Sequence, residues 1–474
     1  MPSTLPTPTP APVAPKPLLQ PTLAAMREPV QLGLTRPLSW RLQQLRRLEM
    51  LMELHETAIV EALASDLGKP ALEAHAELVT VRREIRLCRR QLPRWLAAKP
   101  FPVDLVLRPG RIWQQCEPLG CVLIIGPWNY PFQLCIHPLV SALAAGNSAV
   151  LKPSEQAPHT AALLARILPE VFPAEQLQVV LGGPETAAEL LEEQFDHIFF
   201  TGSGRVGSLV MQAAARQLTP VTLELGGKSP VIVLEDADIA ITARRLAWGK
   251  GLNAGQTCIA PDYVLVQPAV RDALVAGIAK ELHQFYGDEP LTNPDLTRIV
   301  NASHFQRLEK LLEGARQRGQ VLVGGRSNAD ERRIEPTVLA VDSLADPLMQ
   351  EELFGPLLPV LSVNDLEQAL ALVRRGPKPL ALYLFSRSAA AQRRLLEASS
   401  SGGAVFNDVV LQAIAAELPF GGVGASGMGQ CHGEAGFRSF SHQRSVVRRP
   451  FWLDMPLRYP PYGGKLKLMR WLVR

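Results

Sequence analysis

Short apolar runs alternate with amphipathic segments over most of the chain after residue 119. Four runs in the first half predict buried strands, because each is continuous and several end at a turn signal. These runs lie at 119–125, 148–151, 178–181 and 197–200. The segments between them include predicted helices at 161–168 and 185–194. Strands that alternate with helices predict a parallel α/β sheet covered on both faces.

The same alternation starts again near residue 227, where 231–233 and 263–266 flank a helical pattern over 239–248. We therefore predict a second α/β domain. Ahead of the first sheet, residues 38–98 follow a helical pattern in which leucines recur at three-residue spacing. No internal repeat of fixed period is visible.

The two ends of the chain differ from the rest. Residues 1–21 contain eight prolines and are predicted to form a flexible leader. Residues 465–474 place apolar side chains broadly on one helical face and basic side chains mostly on the other. Such a helix can lie on an anionic membrane surface. Docking on its own protein or on a partner subunit is the alternative, since ten residues bury little apolar area.

Composition narrows the classes of function. Forty-nine basic against 45 acidic residues give a net charge of +4, which is too small and too dispersed to indicate a nucleic-acid partner. Six cysteines without a CxxC pair suggest reduced thiols rather than a zinc site, so we expect no metal. The charge-free stretch between Glu117 and Lys152 is interrupted by prolines, which favours a buried segment over a membrane span. With no secretory signal pattern, we expect a cytoplasmic protein.

A glycine-rich turn is the first candidate binding motif. Gly202, Ser203, Gly204 and Gly207 form a Gly-x-Gly-x-x-Gly pattern after the fourth strand, where a helix begins. Glycines there let the backbone approach a pyrophosphate, and the helix N-terminus supplies N–H donors. A tight turn without a ligand is the alternative. The usual rule would assign Glu224, 17 residues after Gly207, to the ribose, but another role suits it better.

Three further side chains are candidates for chemistry. Cys258 follows a glycine in a loop between helix and strand, where a thiolate could act as nucleophile; a buried structural cysteine is the alternative. Glu224 lies between leucines before Gly226, so burial could raise its pKa for general-base work unless Lys228 or another cation pairs with it. Asn129 in a proline-bounded loop could donate to an oxyanion or close an Asx-turn.

Together these segments resemble the aldehyde dehydrogenase superfamily, and its class 3 branch in particular, from about residue 30 to 462. The Ala-Pro-Asp-Tyr after Cys258 and the His-Gly at 432–433 look like class 3. The matching segments are 127–131, 151–155, 222–230, 255–263, 351–356, 419–424, 426–429 and 432–433.

The resemblance implies a role for each candidate. Cys258 would attack the aldehyde, and the Asn129 side chain with the Cys258 backbone N–H would hold the oxyanion. A hydride would pass to NAD or NADP, and Glu224 would activate water to release the acid. The implied cofactor contacts are Lys152 and Glu155 at the adenine ribose, Ser203 within the Gly202–Gly207 turn at the pyrophosphate, and Glu352 and Phe354 at the nicotinamide end.

The resemblance also implies a Rossmann-like cofactor domain, an α/β catalytic domain and a small oligomerisation element. It indicates a homodimer, with medium- or long-chain aliphatic or aromatic aldehydes as substrates and peripheral membrane contact through the tail as an option. The implied division is 22–99 with 119–226 for NAD(P) binding, 227–429 for catalysis, 100–118 with 430–452 for oligomerisation, and 453–474 for the basic tail.

One departure from the family leaves the cofactor open. The family usually has Gly-Ser-Thr where this chain has Gly202-Ser203-Gly204, and Arg205 follows. The Arg205 guanidinium would favour NADP if it pointed toward the 2′-phosphate of that cofactor. The sequence does not give its direction, so both NAD and NADP remain candidates. Two other classes of function compete: a thiol hydrolase or acyltransferase that uses Cys258 without a redox cofactor, and a scaffold protein without activity. The intact set Asn129, Glu224 and Cys258 argues against the scaffold.

Overall fold

The computed structural model describes residues 19–104, 107–454 and 456–472. Most of the proline-rich leader predicted over 1–21, namely residues 1–18, lies outside the described residues. The helices are α1 Leu23–Gln31, α2 Leu38–Leu54, α3 Glu56–Leu67, α4 Ala71–Leu96, α5 Gln133–Ala145, α6 Pro158–Ile167, α7 Pro184–Glu192, α8 Gly204–Arg216, α9 Ile239–Gly251, α10 Pro268–Tyr286, α11 Ala302–Gln317, α12 Leu366–Arg375, α13 Ala389–Ala398, α14 Gly433–Ser439 and α15 Lys465–Leu472.

The strands are mostly short, and those of the two large sheets are largely buried. They are β1 Lys99–Pro100, β2 Arg111–Pro118, β3 Cys121–Ile125, β4 Ser148–Lys152, β5 Leu177–Val179, β6 His197–Thr201, β7 Val221–Glu224, β8 Pro230–Val233, β9 Tyr263–Val266, β10 Val321–Val323, β11 Ser327–Asn328, β12 Arg333–Ile334, β13 Thr337–Ala340, β14 Leu357–Ser362, β15 Ala381–Phe385, β16 Gly403–Phe406, β17 Gly427–Met428 and β18 Ser441–Arg448.

The first large sheet has the strand order β17-β7-β6-β3-β4-β5, and every pair is parallel except β17 with β7. It contains all four strands predicted in the first half of the chain, with ends that differ by one or two residues. The strand order reverses on either side of β3, so a crevice opens at the carboxyl ends of the neighbouring strands. The loop with Asn129 follows β3, Lys152 ends β4, and α8 begins after β6.

The second large sheet has the order β10-β13-β14-β9-β8-β15-β16, and only the β10–β13 pair is antiparallel. The predicted strands at 231–233 and 263–266 become β8 and β9 in its centre, and the predicted helix becomes α9. The expectation of a second α/β unit is therefore confirmed.

A third, antiparallel sheet joins β1, β2 and β18. The β2–β18 pairing runs from Ser441 opposite Pro118 to Arg448 opposite Arg111. The two distant segments predicted to combine do pair with each other. Their role in oligomerisation, and the assignment of functions to the individual domains, stay predictions.

The charge-free stretch after Glu117 is core rather than lipid-facing chain. β3 and β4 are buried along their whole length, and α5 between them is buried on nearly all sides. In the described part of the chain, we find no helix whose length and apolar character would let it cross a bilayer. The predicted tail helix forms as α15, and Leu466, Met469 and Trp471 on it are exposed.

Candidate active site

The loop that carries Cys258 has an unusual backbone. After α9, a short 3-10 segment over Leu252–Gly255 places Asn253, Ala254 and Gly255 at φ values of 50°, 51° and 71°. A left-handed backbone costs a non-glycine residue about 1 kcal/mol or more. At Gly255 a Cβ atom would lie 2.3 Å from the carbonyl oxygen of Gly355, so a side chain has no room.

Hydrogen bonds hold this strained segment in place. The Asn253 backbone N–H donates to Glu73 Oε2 at 2.9 Å, and its side-chain amide donates to the carbonyl oxygens of Asn129 and Gln256 at 2.9 and 3.0 Å. The fully buried Gln256 side chain donates to the carbonyl oxygens of Asn253 and Arg298, at 3.1 and 2.9 Å. These bonds fix the backbone from which Cys258 projects.

The side-chain amide of Asn129 reaches this loop from the first sheet. Asn129 is buried, and its Nδ2 atom donates to the Gln256 carbonyl oxygen at 3.1 Å. The amide therefore bridges from its own loop to the loop of Cys258. Because a primary amide carries two N–H groups, the second one can donate to a ligand oxygen.

Cys258 is half-buried and lines a mainly apolar cavity of about 180 Å³ together with Glu224. Burial raises the pKa of its thiol to about 12, and the neighbouring carboxyls of Glu352 and Glu224 contribute to the rise. The nearby backbone N–H groups of Cys258 and Ile259 favour the thiolate and lower the pKa in the opposite direction. The sequence suggested a reactive loop cysteine but gave no sign that two carboxyl groups lie close to it.

Glu224 ends β7 and is buried, with its backbone paired to Thr201 on one side and Gly427 on the other. Burial raises the pKa of its carboxyl to about 8, and the Cys431 thiol partly offsets the rise. Neither carboxyl oxygen has a geometrically satisfied hydrogen bond among the described residues. In its ionised form, a carboxyl group with these properties can take a proton from water.

The sequence left open whether Lys228 neutralises Glu224, and the structure shows that it does not. Lys228 forms an ion pair with Asp262, and its ammonium also donates to the carbonyl oxygens of Leu348 and Glu351, both at 3.0 Å. The other Asp262 oxygen accepts the Leu353 N–H at 2.9 Å. Lys228 and Asp262 therefore attach the segment around Glu352 to the chain that follows Cys258.

Glu352 and Phe354 lie next to the residues that Lys228 and Asp262 bond. A Cβ atom on Gly226 would lie 2.2 Å from Glu352 Oε2, so a glycine is needed for the carboxyl group to approach. Burial raises the pKa of Glu352 to about 8. Phe354 has a φ of 47°, and its ring packs edge-on against Trp128 with centroids 5.3 Å apart. Both residues therefore sit beside the catalytic candidates rather than on a remote surface.

A larger cavity of about 500 Å³ lies between the two large sheets. Ser203, Gly204, Gly226, Gly227 and Glu352 contribute to its wall. Ser203 is exposed and caps α8 by accepting the Val206 N–H at 3.4 Å. A Cβ atom on Gly204 would meet nothing within 4 Å, so the space in front of the helix N-terminus is open. An open helix N-terminus fits a pyrophosphate.

The other glycines of the motif serve packing. A Cβ atom on Gly202 would lie 2.6 Å from the Phe200 ring, and one on Gly207 would lie 2.7 Å from a Leu225 methyl group. They let α8 approach the strands beneath it, as the third glycine of a dinucleotide-binding motif does.

Lys152 and Glu155 follow β4 at the same carboxyl edge. The Lys152 ammonium is buried and lies 3.4 Å from Glu155 Oε2, with a further bond of 3.3 Å to the Pro153 carbonyl oxygen. Glu155 is partly exposed, so its carboxylate can contact a ligand in the crevice.

The structure thus brings Asn129, Glu224, Cys258, Glu352 and Phe354 to the region between the two large sheets. The other predicted contacts, at Lys152, Glu155 and the 202–207 turn, follow β4 and β6 of the first sheet. Sequence reasoning missed the supporting residues. Gln256 and Thr257 lay within the motif around Cys258 and could have been singled out. Tyr130 likewise lay within the motif around Asn129, whereas Asn253 and Glu73 carried no signal.

A buried ion pair also supports the site, and its disruption is a testable prediction. Lys69 and Glu77 are fully buried partners; the Lys69 ammonium lies 3.9 Å from the Tyr130 ring centroid, and the Tyr130 hydroxyl bonds Thr257 Oγ1 at 2.7 Å. Glu77→Leu leaves an unpaired buried ammonium, and we expect it to lower the free energy of unfolding by about 3 kcal/mol. Urea denaturation of the variant measures this loss.

The matched control for this prediction is the double variant Lys69→Met/Glu77→Leu, which removes both charges. We expect it to recover most of the lost stability, because two apolar side chains of similar size replace the pair. A Glu77→Leu variant as stable as the original protein would contradict the prediction.

Comparisons with known proteins bear on this site. The profile described as "Aldehyde dehydrogenase family" matches residues 23–446. Human aldehyde dehydrogenase family 3 member B1 is 46% identical over 447 residues, which cover 94% of this chain and 95% of that protein. The "aldehyde dehydrogenase, dimeric NADP-preferring" of Canis lupus familiaris is 44% identical over 437 residues, 92% of this chain and 96% of that protein.

A solved structure extends the similarity to three dimensions. The substrate-bound state of Staphylococcus aureus AldH matches with a TM-score of 0.92 and 42% sequence identity. The match covers 95% of this chain and 98% of that one. The two proteins therefore share one fold along nearly the whole chain.

Proposed function

This chain belongs to the aldehyde dehydrogenase family and is an enzyme that oxidises aldehydes to acids, and we propose that it acts through a thioester on Cys258. One arrangement supports the proposal most. Cys258 and Glu224 line the same apolar cavity, and Asn129 bonds to the loop from which Cys258 projects. The nucleophile and the proton acceptor that we assign therefore face one space, and the amide that we assign as donor is bonded to the loop of the nucleophile.

In the first step the sulfur of Cys258, as thiolate, forms a bond to the aldehyde carbon. The carbonyl electron pair moves to the oxygen, which becomes an oxyanion. The free N–H of the Asn129 amide and the backbone N–H of Cys258 are the proposed donors to that oxygen, because charge develops there. When the carbonyl group re-forms, the hydrogen on the same carbon leaves as hydride with its electron pair, and a thioester remains.

A bound NAD or NADP would supply the hydride acceptor for this step. The open N-terminus of α8 and the exposed Ser203 suit a pyrophosphate, and the buried carboxyl of Glu352 lies close to Cys258. The residues to which we assign cofactor binding are Lys152, Glu155, Gly202, Ser203, Gly207, Glu352 and Phe354.

Hydrolysis of the thioester is the role that we propose for Glu224. Its carboxylate takes a proton from water, the water oxygen bonds to the thioester carbon, and the carbon–sulfur bond breaks to release acid and thiolate. Neither of its oxygens has a hydrogen-bond partner in the described part of the chain, so the carboxylate can bond to water. A pKa near 8 matches the base to neutral or mildly alkaline conditions.

For the substrate we propose a medium- or long-chain aliphatic aldehyde or an aromatic aldehyde, and the character of the cavity supports this proposal. Its wall is mainly apolar, which suits a hydrocarbon chain or ring behind the reacting carbonyl group. The apolar lining includes Leu134, Trp248, Leu252, Ile259, Val410, Ile414 and Phe420.

We also propose that the protein forms a homodimer, which light scattering can test. Contact of α15 with a membrane is a further proposal, which sedimentation with vesicles can test.

A panel of straight-chain aldehydes of graded length, each assayed with NAD and with NADP, tests the function. We expect reduced cofactor and carboxylic acid in equal amounts. The KM should fall about fourfold per added methylene until the cavity is filled, since burial of each CH₂ contributes about 0.8 kcal/mol.

Matched alcohols of the same lengths are the control, because they fill the cavity but offer no carbonyl group. Turnover of esters without any aldehyde-dependent reduction of NAD or NADP would favour a thiol hydrolase instead. The ratio of kcat/KM for the two cofactors decides which of them the open Ser203–Arg205 turn accepts.

A further inference from the structure

A buried cluster of one glutamate and two histidines borders the cavity, and the proposed function does not use it. Glu84 on α4 is fully buried, and His137 on α5 and His432 before α14 are more than nine-tenths buried. His137 Nε2 lies 3.6 Å from Glu84 Oε2, and the centroids of the two imidazole rings are 4.3 Å apart. Both histidines line the cavity that also contains Cys258 and Glu224.

Glu84 anchors a turn near the far end of the chain, which we call the 431–433 turn (Cys431, His432 and Gly433). Its Oε1 atom accepts the Gly433 N–H at 2.8 Å across a sequence separation of 349 residues. The Cys88 thiol donates to the same oxygen at 3.5 Å. A backbone N–H bonded to a carboxylate is among the stronger hydrogen bonds in proteins, so this contact is a firm attachment.

The 431–433 turn needs an anchor because its backbone is strained. His432 and Gly433 have φ values of 70° and 51°, and a Cβ atom on Gly433 would lie 2.7 Å from the Ala416 carbonyl oxygen. A left-handed conformation at a non-glycine residue persists only where the surroundings enforce it. The His432 ring also stacks on Phe420 at 5.1 Å.

The same turn forms part of the wall around Glu224. Cys431 exchanges two backbone hydrogen bonds with Phe420, at 3.0 and 2.7 Å, and both residues line the cavity with Glu224. Among the described residues, neither Glu224 carboxyl oxygen has a hydrogen-bond partner, so the side chain depends on this wall for its position. A displaced turn would therefore let the carboxyl group move. A shift of about 1 Å in a catalytic base is enough to lower the rate of the step that it catalyses substantially.

We propose that Glu84 is a positioning residue for thioester hydrolysis: it holds the 431–433 turn, and the turn holds Glu224. The proposal rests on the function assigned to Glu224 above. Asn129 and Cys258 are connected through Gln256 and Asn253, which Glu84 does not contact in the described structure. Hydride transfer should therefore tolerate changes at Glu84 that hydrolysis does not.

Three variants separate these steps. With octanal and either cofactor, stopped-flow absorbance measures the first turnover and then the steady state. We expect Glu84→Leu to keep the first turnover within about twofold of the original protein and to lower the steady-state rate about tenfold or more. Glu84→Gln keeps an oxygen for the Gly433 N–H and should stay within about threefold of the original steady-state rate.

Glu84→Asp covers the case in which Glu84→Leu does not fold. Its carboxylate is one methylene shorter, so we expect a weakened bond to Gly433 and a steady-state rate about threefold lower. Equal loss in both phases, or no loss in either, would overturn the proposal. An original protein that reduces no cofactor with any aldehyde would overturn the proposed function as well.

Cys88→Ala is the matched control, because it removes the other donor to Glu84 but leaves the bond to Gly433. We expect a lower Tm with an unchanged ratio of first-turnover to steady-state rate. A change in that ratio would indicate that any loss of packing near Glu84 slows hydrolysis, which contradicts a specific role for the Gly433 bond.

Discussion

Replacing Cys258 with alanine is expected to lower aldehyde-dependent reduction of the cofactor by about 10⁴-fold or more, because Cys431, the other cysteine among the described residues of the cavity wall, is more deeply buried. The thiol lies beside two carboxyls that disfavour its ionised form. The reaction therefore depends on the specific placement of this sulfur and not on general thiol reactivity. A stopped-flow assay over many minutes has the range to measure the residual rate.

Cys116→Ala is the matched control, since Cys116 is also half-buried but lies on β2 outside the cavity. It should retain the original rate. Mass spectrometry after mixing with aldehyde and cofactor should find an acyl group on Cys258 in the original protein. A Cys258→Ala variant with ordinary turnover would refute the covalent mechanism.

Replacing Glu224 with glutamine is expected to separate the two halves of the reaction. The amide cannot accept a proton from water, so steady-state turnover should fall about 10³-fold. The first turnover should remain, because thioester formation requires the sulfur and the oxyanion donors. The result is a burst of about one reduced cofactor per active site, followed by a slow phase, with the acyl-enzyme accumulating on Cys258.

The pH profile gives an independent test of the same residue. With the Glu224 pKa near 8, its basic form increases as the pH rises through that value. Steady-state turnover of the original protein should therefore rise through about pH 8, and the rise should be absent in Glu224→Gln. Glu281→Gln, at a buried carboxyl paired with Arg244, is the control and should keep the original profile. An unchanged profile in Glu224→Gln would assign the base elsewhere.

The large sheets could be predicted because their strands are continuous apolar runs. β3, β4, β6, β8 and β9 are buried on both faces, so their sequences carry the signal of a central parallel strand. The β2–β18 pair had no comparable signal. Its residues are mostly half-buried or exposed, and its register joins segments more than 300 residues apart.

At the site, the reacting side chains were predictable and their support was not. Cys258, Glu224 and Asn129 lie in short motifs whose residue types match the chemistry. The left-handed backbone at Asn253 and Ala254 involves no glycine, so the sequence gives no warning of it. Likewise, Glu84 reads as one more polar position on an amphipathic helix, because its partner Gly433 is distant in sequence.

The antiparallel pairing of Gly427 and Met428 with the end of β7 has a consequence for synthesis on the ribosome. β7 is complete at residue 224, but its neighbour on that side is translated 204 residues later. At about 5–20 residues per second, the nascent sheet keeps an open edge for about 10–40 s. An unpaired edge invites association with other chains, so this interval is when a growing polypeptide most needs a chaperone.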